Sequence, residues 1–390
     1  MKKAFLFIAI MFSAAISALS ADYFLEDDWE KALQESKKSG KLIFLDAYTD
    51  WCGWCKVMDE KTFSKDEIRE KLTENFIPLK LNMEEGAGLK LATKYQIFSY
   101  PSYVIFDSDG RLLYITSGYE PPEKFITTLD ECLDEKNHKP SPGISTQLDP
   151  GFPEFYKKSF LRGDAREMPE KEDVHAYLKK RDDIFDEVSW ALIKRFCDSD
   201  CEYSEFALRK LDKYEEKFGE RETQKYVVSL YNNIAYRASR EKSKEMCGKS
   251  IAIAKSYYKK YEPYYDEMIW LFYYKQSMDT LGYFKTAPVF MEKYNYKNLN
   301  YVNELAWNFY LMDAPAEYML QAENWMNKVI DKEPDNFAFL DTYAAVLYKN
   351  GKYDEALKYA DIAIEKGKAG KENVEGTEKL KENILEAKGK

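Results

Sequence analysis

Two cysteines separated by two residues, Cys52-Gly53-Trp54-Cys55, carry the clearest chemical signal in this chain. They follow the apolar run Lys41–Thr49 (KLIFLDAYT), which reads as a buried strand, and they open a predicted helix over Cys55–Glu60. A Cys-x-x-Cys at a strand-to-helix junction places its first sulfur where unpaired amides and the helix dipole favour thiolate over thiol. Cys52 is then the attacking nucleophile. Cys55, one turn further in, is less exposed and resolves the mixed disulfide. A static disulfide and half of a zinc site are the competing readings. Zinc would require a second Cys/His pair at suitable spacing, and none accompanies this one, so no metal is expected.

The rest of the composition narrows the chemistry further. With six cysteines but only two histidines, His138 and His175, in 390 residues, a His-rich metal centre is excluded. A His-assisted nucleophile would have to use one of those two, both in polar settings. A formal charge of −10 makes nucleic acid and anionic membrane surfaces poor partners. Cys197 and Cys201, three residues apart, are expected to form a structural disulfide in the turn between two helices, because no strand precedes them. Cys132 and Cys247 lack local partners and read as small buried hydrophobes.

The elements that must position Cys52 and Cys55 are legible as alternating patterns. Helices are expected over Trp29–Lys38, Asp66–Phe76 and Gly88–Tyr95, and after Pro121 and Pro122. Ser64 and Glu67 have capping-box spacing. Strands are expected over Ile77–Met83, Ser102–Asp107 and Arg111–Thr116, the last two joined by a Ser-Asp-Gly turn. The resulting fold class is α/β, a mixed sheet covered by helices, over residues 22–138. Lys2, Lys3 and the apolar run Ala4–Ala18, followed by Ser20 and Ala21, have the layout of a secretory signal over residues 1–20. Its removal would leave an exported protein, periplasmic or secreted and soluble. Prolines 140, 142, 150 and 153 mark a linker over 139–153. Residues 154–390 run in helical periodicity and hold 24 of the 31 tyrosines, which are expected to pack a second, all-α domain.

Leu45–Lys56 (LDAYTDWCGWCK), Lys80-Leu81-Asn82 and Tyr100-Pro101-Ser102 together resemble the thioredoxin superfamily. The resemblance is greatest to exported members related to the periplasmic domains of transmembrane thiol-reductant carriers. It implies that Asp46 is the buried acid near the resolving cysteine and Lys80 the lysine that approaches it. It also implies that Trp51 borders the nucleophile, and that Pro101, after Tyr100, is a cis-proline facing the disulfide. Trp51, Tyr100 and Pro101 are then the substrate-binding residues. The implied activity is thiol–disulfide exchange without a cofactor, acting on client proteins with disulfides or thiols and reset by a membrane thiol-reductant carrier. Gly53-Trp54 departs from the family's usual Gly-Pro. Trp54 also supplies none of the charge with which a histidine stabilises the thiolate in oxidising members, so the pair reads as nearer a reductant.

Asp335–Lys368 resembles a tetratricopeptide repeat, with Leu340, Tyr343, Ala344, Leu347, Gly351, Tyr353, Ala356, Ala360 and Ala363 at its packing positions. A degenerate copy precedes it from about residue 300, with Ala306 and Ala344 spaced for a loop insertion near Met312–Glu317. Such an array offers a concave face to a client, or to a second copy in a homodimer. A disulfide isomerase and a redox-inactive interaction scaffold are the alternative readings.

Overall fold

The computed structural model describes residues 23–198, 201–370 and 372–389, so the signal expected over residues 1–20 lies outside the described residues. Of the described residues, those up to Thr223 form one compact unit and those from Gln224 onward a second.

In the first unit a five-stranded sheet runs in the order β1 (Leu25–Glu26), β3 (Phe76–Asn82), β2 (Leu42–Tyr48), β4 (Ser102–Phe106), β5 (Leu112–Ser117). The first three strands are mutually parallel and the last two antiparallel to their neighbours, which is the mixed sheet expected from the sequence. The period of two along β2 splits its side chains between two cores. Ile43, Leu45 and Ala47 face α1 (Trp29–Ser39) and α4 (Gly86–Tyr95). Phe44 faces Met58 of α2 (Gly53–Met58), Ile68 and Leu72 of α3 (Asp66–Asn75), and Phe125 and Leu129 of α5 (Pro122–Leu133). The two-residue strand β1 has no period to read and exists only through its pairing with β3. The capping box at Ser64 does not form. The helix begins at Asp66, and the Ser64 hydroxyl instead donates to the Glu60 carbonyl at 2.7 Å, closing a π-type turn over Asp59–Phe63.

The Pro/Gly-rich stretch 139–153, expected as a linker between domains, does not end the compact unit, which runs on to Thr223. Prolines forbid helix and central strand but not packing. The Lys139 N–H pairs with the Leu113 carbonyl at 3.0 Å, and Leu148 joins the core over α4. A buried clasp closes the strap: Lys94 Nζ reaches the Gln147 carbonyl at 2.6 Å and Glu187 Oε1 at 2.7 Å. The same unit therefore includes α6 (Glu154–Lys158), α7 (Lys171–Lys179), α8 (Glu187–Phe196), α9 (Glu202–Arg209) and α10 (Leu211–Phe218). Tyr156 of α6 donates to the Thr93 carbonyl at 3.0 Å, tying these helices to α4.

Cys197 and Cys201 are free thiols, not the structural disulfide expected from their spacing. Cys197 ends α8 and Cys201 opens α9, where Cys201 Sγ meets His175 Nε2 at 3.4 Å. That setting satisfies the sulfur by hydrogen bonding rather than by a bridge.

α11 (Glu220–Glu241) carries the chain into the second unit, which is helical throughout its described residues: α12 (Lys244–Tyr257), α13 (Tyr265–Ser277), α14 (Thr280–Tyr294), α15 (Leu299–Leu311), α16 (Ala316–Lys332), α17 (Phe337–Lys349), α18 (Tyr353–Ala369) and α19 (Glu375–Lys388). Ala306, Ala322, Ala344, Ala356, Ala360 and Ala363 are completely buried in one continuous core, where small side chains let consecutive helices approach closely. Leu340, Tyr343 and Leu347 of α17 pack in the same core. No helix among the described residues is long and apolar enough to cross a membrane.

Candidate active site

Cys52 and Cys55 are joined in a disulfide at the mouth of α2. Strand β2 ends at Tyr48, the Cys52 N–H bonds back to the Thr49 carbonyl at 3.0 Å, and Cys52 caps the helix by accepting the Cys55 N–H at 3.0 Å. Both cysteines are only 4% exposed, whereas Trp51 and Trp54 beside them are 47% and 60% exposed. A small disulfide is thus framed by two protruding indoles, a surface suited to an apolar, extended partner.

A buried charge cluster lies on the sheet face that looks toward α2. The period that sends Phe44 toward α2 sends Asp46 the same way, and the β2–β3 register makes Lys80 its direct neighbour. Lys80 Nζ lies 3.1 Å from Asp46 Oδ2 and also donates to Asp59. Asp59 follows Cys55 by one turn, and its N–H bonds to the Cys55 carbonyl, so the cluster is tied to the resolving cysteine through the helix backbone. Burial raises the Asp46 carboxyl to about 6, with Lys80 opposing and Asp59 adding to that rise. Its Oδ1 is buried without a hydrogen-bond partner among the described residues. Lys80 is held above its usual range, because the two carboxylates outweigh the burial that pulls it down. Its ammonium also lies 5.1 Å from the centre of the Tyr48 ring and 5.9 Å from that of Phe63.

The Tyr100–Pro101 bond is cis and leads directly into β4. The Pro101 carbonyl accepts the Gly118 N–H at 2.9 Å. Tyr100 meets the edge of Trp51 with ring centres 5.9 Å apart. Trp51 is itself held from two sides. Its Nε1 donates to Glu84 Oε1 at 3.0 Å, and the Arg162 guanidinium lies 3.3 Å over its ring while pairing with the same Glu84 oxygen at 3.0 Å. A cavity of about 360 Å³ opens here, lined by Glu84, Phe98, Tyr100, Phe160, Arg162 and Arg195. Trp54 stacks on Tyr119 with ring centres 5.5 Å apart.

The structure therefore brings Trp51, next to Cys52, against Tyr100, the residue before cis-Pro101, and pairs Asp46 with Lys80 on the sheet face that looks toward α2. Cys197 and Cys201 lie elsewhere in the same unit. Sequence reasoning missed Asp59, Glu84, Tyr119 and Arg162. Only Asp59 left a signal, since it stands four residues after Cys55, on the same side of the helix. Arg162 is brought to Trp51 by the strap and helices after residue 139, which no local spacing announces.

Residues 29–133 match the protein-family model described as a thioredoxin-like domain. A thiol:disulfide interchange protein DsbD of Ralstonia nicotianae is 28% identical over 114 residues, which are 29% of this chain and 19% of that protein. The DsbD of Campylobacter jejuni is 33% identical over 106 residues, 27% of this chain and 18% of that protein. The chain thus spans under a fifth of the length of these curated relatives. The crystal structure of the Neisseria meningitidis DsbD C-terminal domain in its oxidised form is 25% identical and covers 26% of this chain and 89% of that one, with a TM-score of 0.24.

Proposed function

We propose that this chain is an exported thiol–disulfide oxidoreductase that reduces disulfides in client proteins, using Cys52 and Cys55 of its thioredoxin-like domain. The observation that carries the reading is the pairing of a disulfide at a strand-to-helix mouth with a buried carboxyl, Asp46, whose proton affinity is raised to about 6 on the same face of the sheet.

In the reduced enzyme the Cys52 thiolate attacks a client disulfide. A Cys52–client bond forms, and one client sulfur leaves as thiolate and takes up a proton. Cys55 then gives its proton to Asp46 and attacks the Cys52 sulfur. The second client thiol is released, and the Cys52–Cys55 disulfide remains. Two electrons have moved from the enzyme dithiol to the client. A dithiol of a membrane-side reductant carrier returns them by the reverse exchange. Trp51, Tyr100 and Pro101 form the wall against which an extended client segment lies, and the tetratricopeptide-like helices select or hold the client. The DsbD proteins that share the first domain are named as thiol:disulfide interchange proteins, which supports the reaction class.

Cys55→Ser removes the resolving sulfur and leaves Cys52 in place. That variant should accumulate mixed disulfides through Cys52 in the exported fraction, while wild type reduces a model disulfide such as insulin. A Cys55→Ser chain that traps nothing, together with an inactive wild type, would reject the proposal.

A further inference from the structure

We propose that Cys201, with Cys197 as its resolving partner and His175 as its activator, is a second thiol–disulfide exchange centre in this chain.

The geometry around Cys201 is that of an activated nucleophile rather than of an inert core thiol. Cys201 is the first residue before the eight-residue helix α9, and the Tyr203 and Ser204 backbone amides of the first helical turn favour its thiolate without forming a capping hydrogen bond to the sulfur. From α7, 26 residues earlier, His175 brings Nε2 to 3.4 Å from the sulfur. The other ring nitrogen, Nδ1, lies 3.8 Å from Glu202 Oε1, which sets a carboxylate beside the imidazole. Tyr203 meets the imidazole edge-on with ring centres 5.4 Å apart, which limits the ring's rotation.

Cys197 supplies the second half of an exchange pair. Its thiol is hydrogen-bonded to Cys201, and the Ser204 hydroxyl holds its backbone carbonyl at 2.9 Å. The hydrogen bond between the two sulfurs favours thiolate on Cys201 and thiol on Cys197. The hydrogen bond from Cys197 draws the Cys201 thiol below its usual range, with the amides and His175 adding to that pull against its burial. The same bond, with burial, pushes Cys197 up. Asp198 and Glu202 also face the pair, and Lys171 pairs with Asp198 at 3.6 Å. By contrast, burial alone suffices to push Cys247 up to about 12, and burial with two nearby glutamates does the same to Cys132. Access resembles that of the first pair: Cys201 is 6% exposed and Cys52 4%. The His175 side chain beside Cys201 is 37% exposed.

The substrate class is a peptide or low-mass disulfide. The Cys201 thiolate attacks one of its sulfurs, forming a Cys201–substrate bond and releasing the other as a thiolate that takes up a proton. Cys197 then loses its proton and attacks the Cys201 sulfur, releasing the second substrate thiol and leaving a Cys197–Cys201 disulfide. The dithiol is oxidised by two electrons and the substrate disulfide is reduced to two thiols.

The test uses the full chain with Cys52→Ser and Cys55→Ser, which silences the first pair, and glutathione disulfide as the probe. Reduced protein should convert to a Cys197–Cys201 disulfide in a reversible redox titration. Adding Cys197→Ser should trap glutathione on Cys201. Alkylation of Cys201 should show a pH midpoint below that of an ordinary thiol, and at pH 6 it should run several-fold faster than for an ordinary thiol even after the lower nucleophilicity of an acidic thiolate is counted. His175→Gln should raise that midpoint only slightly, because Cys197 and the helix amides favour the thiolate more strongly than His175 does. Two results would overturn the proposal: a Cys197–Cys201 bridge that stays closed throughout the titration, which is a structural staple, or a Cys201 that at pH 6 reacts no faster than Cys132 and Cys247.

Discussion

Asp46→Asn should make the thioredoxin-like domain more stable at neutral pH while slowing its chemistry. The carboxyl is raised from 3.8 to about 6, so the folded chain binds this proton more tightly than the unfolded chain does. Between those two values the unfolded state holds fewer protons, and stability therefore falls as pH rises through the window. Below 3.8 the cost is absent, and above about 6 it is complete. At 1.36 kcal/mol for each tenfold change in proton affinity, the cost amounts to ~3 kcal/mol at pH 7. Asparagine has nearly the same shape, carries no charge and leaves Lys80 its bond to Asp59. Hydrogen exchange of the β2 and β3 amides in the full chain reports the opening of this domain without requiring the whole chain to unfold as one unit. The difference in opening free energy between variant and wild type should be near zero or negative at pH 4 and should rise by ~2.5 kcal/mol by pH 7. Release of trapped client by Cys55 should meanwhile slow by about 100-fold at pH 7, the lower end of what a positioned proton acceptor supplies. A difference that stays flat from pH 4 to pH 7.5 would refute the claim that a buried, ionisable Asp46 stands on the sheet face that looks toward α2.

Lys80→Met removes the cation that opposes the rise in Asp46, so the inflection of the pH–rate profile should move to higher pH than in wild type. An unmoved inflection would assign it to another group. Arg162→Ala takes the guanidinium off the Trp51 ring and should loosen the indole, raising KM for a disulfide peptide roughly two- to fivefold with little change in kcat. Time-resolved anisotropy of Trp51 would show the added motion. Glu187→Ala leaves Lys94 buried without its carboxylate, at a cost of about 3 kcal/mol, visible as a lowered midpoint in urea unfolding. Lys94→Met combined with Glu187→Leu should recover most of that loss. Gly367→Ala would set a methyl 2.5 Å from Val374 Cγ1 and 2.9 Å from the Phe337 ring, and should destabilise the second unit by about 1–3 kcal/mol in thermal unfolding.

How far the fold can be read from the sequence depends on the range of the interaction. Strand β2 is buried on both faces and so reads as a nearly continuous apolar run, in which Asp46 stands out as the one charge within it. The strand-to-helix mouth at Cys52 follows from the same run, and the alanines that space α17 and α18 follow from the 3.6-residue period. What escapes is set by contacts between residues far apart in the chain. Lys94 and Glu187 are 93 residues apart, and their clasp turns a proline-rich stretch that looks like a linker into a packed strap. Prolines show which backbone shapes are forbidden but carry no information on burial. His175 and Cys201 sit on separate helices, so a histidine in a polar stretch and a cysteine with Cys-x-x-x-Cys spacing gave no sign of meeting. Ser64 misleads for a local reason, because the π-type turn before α3 offers its hydroxyl a nearer carbonyl at Glu60.

The central claim is that Cys52 and Cys55 form an exchanging, reductive pair. Its most direct test is the reduction potential of that pair, measured in the full chain with Cys197→Ser and Cys201→Ser against a dithiothreitol redox buffer. The account predicts reversible exchange with a midpoint nearer the roughly −270 mV of thioredoxin than the roughly −120 mV of a strong oxidant. A disulfide that does not exchange and stays closed below about −300 mV would be a structural bridge, and would contradict it.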